Sequence, residues 1–388
     1  MEILEVLDRK GWRLFHRVLK TVYKDTPHYI FPLEKEVEAI FDPKSNKTFA
    51  HGAATCFVLL DERRRPSGRI AAFIDHERNE GQLYKAGGIG FFECVHREDC
   101  ADALFAAAET WLAAQGAEII DGPVNFGERD KFWGLLVKGQ QYPPLYQENY
   151  HPHYYEKFFL ERAWRPFEQI LTYKGASANI PFERMKSVAQ RILQRQNAVV
   201  KPLDFAQLDI FSRDFSIVYN AAFQVFAHFK PIQPAQVQKM MEQAKPIADP
   251  NIACIAYFDE QPAGFIALYP DVNPFLKHAR GKLNAWNTLL FLLKSRLAKT
   301  KTAKGMGFGI HPDYQSKGVF ALLLDYLCSE RNLRTYPYMC LAGIRTHNHE
   351  IRSIYAKMNV DIDRVHVAYR KFLNPDIPYQ PFEFIKIG

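Results

Sequence analysis

The sequence predicts an α/β protein of the α+β, mixed-sheet kind, built from two tandem copies of one domain. Three observations carry this. The chain has 388 residues, long for one ordinary domain and suited to two. The opening segment MEILEVLDRKGWRLFHRVLKTVYK matches NAVVKPLDFAQLDIFSRDFSIVYN near mid-chain without a gap, and self-similarity of this kind marks repetition. After each match the same succession of apolar strands and amphipathic helices follows.

Within the repeat, Leu7-Asp8 aligns with Leu203-Asp204, Phe15 with Phe211, and Val22-Tyr23 with Val218-Tyr219. The same offset pairs Gly68-Arg69-Ile70-Ala71 with Gly264-Phe265-Ile266-Ala267. Each copy opens with a β-rich piece ending at Asp, a good N-cap residue, and continues into an amphipathic helix. Two strands joined by a charged turn come next, in CFVLLDERRRPSGRIAAFID and in IACIAYFDEQPAGFIALYPD. A strand, helix, strand, helix and last strand are then expected. In the first copy they fall at 88–93, 99–114, 118–121, around 154–160 and around 170–173. In the second they fall at 304–310, 318–331, 338–343, 350–358 and 365–372. Small and turn-forming residues in GASANIP put the junction near Lys174 to Pro181. The domains are therefore read as 1–176 and 177–388, with a helix from Phe182 to Gln196 bridging them.

Composition narrows the function. Hydrophobic residues make up 47% and charged residues 24%, the balance of a globular chain. The 30 Phe and 19 Tyr suit large cores and an aromatic-lined cleft. No apolar run reaches the ~20 residues of a membrane span, and early charges at Glu2, Glu5 and Asp8 break any signal-peptide pattern. Neither a leader nor a membrane partner is expected. Cys56, Cys94, Cys100, Cys254, Cys328 and Cys340 are scattered without a CxxC pair, which argues against disulfides or structural zinc and for a reducing cytoplasm. The net charge of +7 is mild, so a nucleic-acid partner is not expected. The excess gathers at Lys277, Arg280, Lys282, Lys294, Arg296, Lys299, Lys301 and Lys304. The plain reading of such a run is a solvated helix face and loop; the sharper one is a site for phosphates or an acidic acceptor.

The informative stretch is KGMGFGIHPDYQSKGVFALLLDYL, residues 304–327. A strand runs into a turn, and a helix starts at or just before Gly318. Free N–H groups at a helix start, with the helix dipole, suit pyrophosphate, and Gly318 lets backbone approach phosphate without a Cβ in the way. This segment resembles the acetyl-CoA-binding motif of the GNAT superfamily of N-acetyltransferases. There a strand ending in hydrophobic-x-Pro precedes Arg/Gln-x-x-Gly-x-Gly/Ala. The match is Ile310-His311-Pro312-Asp313-Tyr314, then Gln315-Ser316-Lys317-Gly318-Val319-Phe320. Phe320 stands where the family has Gly or Ala. The resemblance implies a cofactor site of Phe308, Gly309, Ile310, Gln315, Ser316, Lys317, Gly318, Val319 and Phe320, joined by Asn348. It also implies Tyr355, seven residues after Asn348, as general acid for the leaving thiolate. The plain alternative for Tyr355 is a helix residue packed with Ile351 and Met358. Asn359-Val360 replaces the family's Gly-Phe.

The implied reaction is direct acyl transfer from acetyl-CoA or another acyl-CoA, without metal, to an amine of a small molecule or peptide. The acceptor is unidentified. Two other readings stay open: a non-catalytic acyl-CoA or metabolite-binding protein, and an aminoacyl-tRNA-dependent transferase of tandem architecture. The first copy lacks the motif. Its equivalent turn, Glu93 to Ala101, has no glycine and carries Glu93, Glu98 and Asp99, which repel phosphate. It has instead an insert at 122–155, read as a substrate wall facing the inter-domain cleft, with Asn125, Glu128, Arg129 and Tyr150 as candidate substrate residues. Candidates for the base are Glu128, Asp130, His151 and Asp259. The pairs His347/His349 and His151/His153 lack further ligands at useful spacing, so no metal site is expected.

Overall fold

Both halves begin alike. The computed structural model, which describes residues 1–225, 229–298, 300–382 and 384–385 without the side chains of Arg195 and Arg296, starts with β1 (Glu2–Glu5) and α1 (Arg9–Val22). Lys299 and the Arg296 side chain of the basic run thus lie outside the described residues. The Asp8 carboxylate accepts from the N–H groups of Lys10 and Gly11 at 2.9 and 2.7 Å, satisfying donors that a helix start leaves free. Next come α2 (Glu34–Ile40), the hairpin β2 (Gly52–Leu60) and β3 (Pro66–Asp75), and the short α3 (His76–Asn79). The first half ends with β4 (Ala86–Cys94), α4 (Glu98–Ala114), β5 (Ile119–Gly122), β6 (Leu135–Lys138), α5 (Tyr155–Leu160) and β7 (Arg165–Ala176). α6 (Phe182–Arg195) crosses to the second half. There β8 (Ala198–Pro202), α7 (Leu208–Phe223), α8 (Pro234–Ala244), β9 (Ala253–Phe258) and β10 (Gln261–Pro270) repeat the pattern. An insertion carries α9 (Asn273–Leu276) and α10 (Ala285–Leu297). Then follow β11 (Thr302–Ile310), α11 (Val319–Leu327), α12 (Glu330–Thr335), β12 (Tyr338–Arg345), α13 (His349–Ala356) and β13 (Asp361–Phe372).

The strands form one mixed sheet of thirteen, ordered β1-β2-β3-β4-β5-β13-β7-β12-β11-β10-β9-β8, with β6 attached to β13. Each half is antiparallel up to one parallel pair, β4 with β5 and β11 with β12. The repeat extends to single hydrogen bonds: Val95 N–H donates to the Ser67 carbonyl and His311 N–H to the Ala263 carbonyl, both at 2.9 Å. The last strands are exchanged. β13 of the second copy pairs with β5, β7 of the first copy pairs with β12, and the two pair with each other. A single apolar core therefore runs across both halves on the face of α4, α5, α6, α11 and α13. On the opposite face, separate cores lie under α1 and under α7.

One helix differs from the sequence reading. Instead of running from 318 to 331, it ends at Leu327, and Ser329 is extended before α12 begins. The Cys328 and Ser329 N–H groups close the last turn onto Leu324 and Tyr326. The redirected chain lets the buried Asn332 amide donate to the Asn251 carbonyl at 2.9 Å, satisfying a polar group that burial would otherwise penalise.

Candidate active site

β11 and β12 run side by side only from Thr302–Gly305 against Tyr338–Leu341. Then they part. On one flank Ala267 pairs with Gly307 and Leu268 with Gly305, so Met306 is bulged out. On the other flank the β12–β7 register shifts between Leu341 and Ile344. Bulges bend and twist a strand, and here they open a notch in mid-sheet. Met306 is 55% exposed although its strand is central. Gly307 and Gly343, one on each parting strand, border open space: a Cβ on either would meet no atom within 4 Å.

At the end of β11 the chain turns through 311–318. The N–H groups of Tyr314, Gln315 and Lys317 donate to the carbonyls of His311, Pro312 and Tyr314. Among the described residues, the N–H groups of Ser316, Gly318, Val319 and Phe320 find no acceptor. Ser316 and Gly318 have positive φ, 67° and 78°, a backbone alternation that gathers N–H groups into an anion-binding concavity. The α11 dipole adds to it. The residues Gln315 to Phe320 are therefore brought together as one turn, with Phe308, Gly309 and Ile310 leading in. The Phe320 ring lies on Phe308, centroids 5.1 Å apart, so it packs on the strand. Two glycines have packing reasons that the sequence did not reveal. A Cβ on Gly318 would sit 2.4 Å from Ile192 Cδ1 of α6, and one on Gly309 would sit 2.8 Å from Phe265.

The corresponding gap in the first half is filled. β4 and β5 pair over Ala86–Gly88 and Ile119–Asp121. Beyond that, the chain after the cis Gly122–Pro123 peptide folds back, and Val124 N–H donates to the Ile89 carbonyl at 2.7 Å. A Cβ on Gly90 would lie 2.2 Å from the Val124 carbonyl oxygen. At the end of β4, the Tyr155 hydroxyl accepts from Cys94 N–H at 2.7 Å and the Tyr154 hydroxyl donates to the Cys94 carbonyl at 2.8 Å. In the turn that follows, Arg97 is paired with Glu62 and Asp99.

Asn348 caps α13, its side-chain oxygen accepting from Ile351 N–H at 3.2 Å. Tyr355 is 6% exposed and meets Tyr173 edge-on at 5.3 Å. Tyr173 pairs with Leu341, where β12 leaves β11. Burial raises the Tyr355 phenol, so it is protonated at neutral pH.

The insert at 122–155 lies between the halves: Asn273 donates to the Pro144 carbonyl at 2.7 Å and Lys304 to the Tyr146 carbonyl at 2.8 Å. Asn125, Glu128 and Arg129 share one loop. The Asn125 amide donates to the Glu128 carbonyl at 3.1 Å, while its own buried oxygen has no partner among the described residues. Arg129 donates to Glu168 at 3.0 Å, and Glu168 also accepts from Trp133 at 2.8 Å and from Arg345 of β12 at 2.7 Å. Burial would raise the Glu168 carboxyl, but Arg345 and Arg129 outweigh it and hold it below the usual range. Tyr150 is not with this group. It is buried against Tyr23 and Tyr29 and donates to the Gln140 carbonyl at 2.8 Å, so its hydroxyl is spent in the core beneath α1.

Of the candidate bases, His151 is 2% exposed, accepts from Leu136 N–H at 3.1 Å, and is lowered to about 3 by burial. Asp259 sits in the β9–β10 turn, and Glu128 is paired with Lys131. Asp130 is exposed; burial and then its charge raise the Tyr219 phenol of α7. Tyr219 belongs to an aromatic row missed in the sequence. Phe215 packs on Phe265 at 4.4 Å and Tyr219 on Phe223 at 4.8 Å. The signal was there, since Phe215, Tyr219 and Phe223 recur every four residues on one helix face. Among the described residues, His51, Asp75 and Glu77 form a possible ligand cluster. Both histidine nitrogens already face carboxylates at 2.7 and 2.8 Å, and Lys230 binds Glu77 at 2.8 Å, so it is a surface ion-pair network. The six cysteines are unpaired.

Two parallel strand pairs in one mixed sheet, each followed by a turn and a helix, define the class: this is the tandem GNAT N-acetyltransferase fold. The tandem GNAT protein from the clavulanic acid biosynthesis pathway aligns over 97% of this chain and 99% of its own, with TM-score 0.54 and 9% identity. The GCN5-related glucosamine N-acetyltransferase region of a fungal multi-domain GH3 β-N-acetylglucosaminidase aligns over 95% of this chain and 38% of its own, with TM-score 0.55 and 10% identity. In sequence, the chain is 29% identical over 293 residues to the bacterial ceramide synthase of Caulobacter vibrioides, covering 72% of this chain and 73% of that one. It is 26% identical over 330 residues to Protein YghO of Escherichia coli, covering 82% and 81%. No protein-family model matches. Among the described residues, no helix is long and apolar enough to cross a membrane.

Proposed function

We propose that the chain is an acyl-CoA-dependent N-acyltransferase whose residues 177–388 hold the acyl-CoA and whose residues 1–176 shape the site for a long-chain amine. The observation that carries this is the open β11–β12 notch ending at a turn with four unpaired N–H groups. A slender, uncharged pantetheine arm suits a slot bordered by Gly307 and Gly343, and the pyrophosphate suits the turn. Backbone N–H groups at the Met306 bulge would polarise the thioester carbonyl. The amine nitrogen attacks that carbonyl, the C–N bond forms and the C–S bond breaks. The departing thiolate takes the Tyr355 phenolic proton, and the amine proton passes to water. A lipophilic acceptor is supported by the relative named a ceramide synthase, a ceramide being an amide of a long-chain amino alcohol. Asn125, with its unpartnered buried oxygen, and Arg129 offer polar contacts for the acceptor head.

The test uses Ser316→Asp and Ser316→Asn. Both side chains tolerate positive φ, and Ser316 is exposed, so folding is preserved. Titration calorimetry with CoA is expected to give at least ~10-fold weaker binding for the aspartate, a loss of about 1.4 kcal/mol, and little change for the asparagine. Equal affinities would reject the turn as the pyrophosphate site. With acyl-CoA and a long-chain amine, Tyr355→Phe is expected to lower kcat by about 100-fold at unchanged CoA affinity; an unchanged kcat rejects the general-acid role.

A further inference from the structure

In the insertion between β10 and β11, α10 supplies no residue of the site above. We infer that α10 is a membrane-docking helix that lies flat in the interface of an anionic lipid bilayer. Its apolar face is unpartnered: Trp286, Leu289, Leu293 and Leu297 are 71%, 50%, 47% and 84% exposed. Steps of three and four residues set all four on one side of the helix. A single exposed Leu carries no meaning, but a continuous row with a Trp does. The helix is held in place from its other side, where Phe291 packs against Ile30, Leu33, Val272 and Leu276. The row therefore faces outward because the inner face is anchored.

Charge selects the occupant. Between residues 272 and 301 there are seven Lys and Arg and no Asp or Glu. The whole chain has 50 Lys and Arg against 43 Asp and Glu, so this one segment holds the entire excess and the rest is formally neutral. Among the described residues, Lys277, Arg280, Lys294 and Lys301 form no ion pair, and Lys282 meets Glu34 at 3.7 Å. An apolar row containing Trp amid cations is the pattern of an interfacial helix on anionic lipid. Nucleic acid would draw on cations and stacking aromatics, with no use for three exposed leucines. A second copy would bring the same positive charge against itself. At 13 residues the helix is too short to span. The inference rests on exposure and charge and is independent of the acyl-CoA reading.

The test is flotation of the full chain with vesicles of phosphatidylcholine alone and with about one-third phosphatidylglycerol. Binding is expected on the anionic vesicles and at least ~10-fold less on the neutral ones. The triple change Lys277→Gln, Arg280→Gln, Lys294→Gln is expected to weaken it on the order of 100-fold, at about five-fold per cation. Trp286→Ser with Leu293→Ser is expected to abolish flotation and the blue shift of tryptophan emission, with an unchanged melting midpoint because both side chains face solvent. Absence of flotation overturns the proposal, as does flotation indifferent to Trp286 and Leu293. Tight binding of bulk tRNA that survives the serine changes would reassign the patch to nucleic acid. Self-association that those changes remove, without vesicle binding, would reassign it to a second copy.

Discussion

Gly318 offers the sharpest check on how the turn is built. Its φ is 78°, where a Cβ costs about 1–2 kcal/mol. The added methyl would lie 2.4 Å from Ile192 Cδ1. That atom is the free end of a side chain, so the clash is relieved by pushing Ile192 off its rotamer, at about 0.5–1.5 kcal/mol. Gly318→Ala is therefore expected to lose about 1.5–3.5 kcal/mol of stability. Ile192→Val removes the clashing atom and alone costs about 0.5–1.5 kcal/mol. In its background Gly318→Ala should cost only the backbone part, leaving a favourable coupling of about 0.5–1.5 kcal/mol. Urea unfolding of the four proteins measures this. Additivity to within about 0.3 kcal/mol would refute the claim that α6 packing demands the glycine. Because the new methyl points at α6 and the turn keeps its N–H groups, CoA affinity is expected to stay within about two-fold in the folded alanine variant.

Three further outcomes follow from the geometry. Arg69 and Glu93 form a buried pair at 2.5 Å, with Arg69 1% exposed; Glu93→Gln leaves the cation uncompensated and should cost about 3–5 kcal/mol. Arg69→Met with Glu93→Leu should recover most of that, as the repeat itself suggests by placing apolar Phe265 opposite Gly309. Burial lowers His151 to about 3, so below pH ~6.5 the unfolded chain takes up a proton that the folded chain refuses. Stability is then lost as pH falls, by up to about 1.4 kcal/mol per unit; urea midpoints at pH 7 and pH 5 should show His151→Gln with a shallower loss than the parent. Replacing Asn125, Glu128 and Arg129 by Ala should raise KM for the amine and leave CoA binding intact; loss of both, or of neither, refutes the insert as an acceptor wall.

The repeat was legible because both copies keep apolar positions at the same offset, and the motif because its glycine and its strand-turn-helix setting are local. The state of each notch was not. Gly90 and Gly307 look alike as letters. What separates them is the neighbour each meets, the Val124 carbonyl at 2.2 Å in one case and nothing within 4 Å in the other. Asn348 was expected from the resemblance as a cofactor residue and is seen capping α13; a helix cap and a ligand contact ask for the same side chain. Tyr150 was grouped with Asn125 by sequence proximity, whereas its hydroxyl is drawn into the core under α1 by Gln140 and His28. The basic run at 277–304 was visible as charge. Its apolar counterpart on α10 was not read from the sequence, because exposure depends on Phe291 claiming the inner face.

The exchanged last strands have a consequence for inheritance. A duplicated unit that lends its final strand to its sibling has given up its independence. Severed at the junction, the first piece would leave β5 without the neighbour that β13 supplies, and the second would leave β12 without β7. Neither copy can be moved alone into another gene, yet the two pieces together hold every strand the sheet requires. The two pieces therefore fold as one object, a copy with a filled notch holding in place the edge of a copy with an open one.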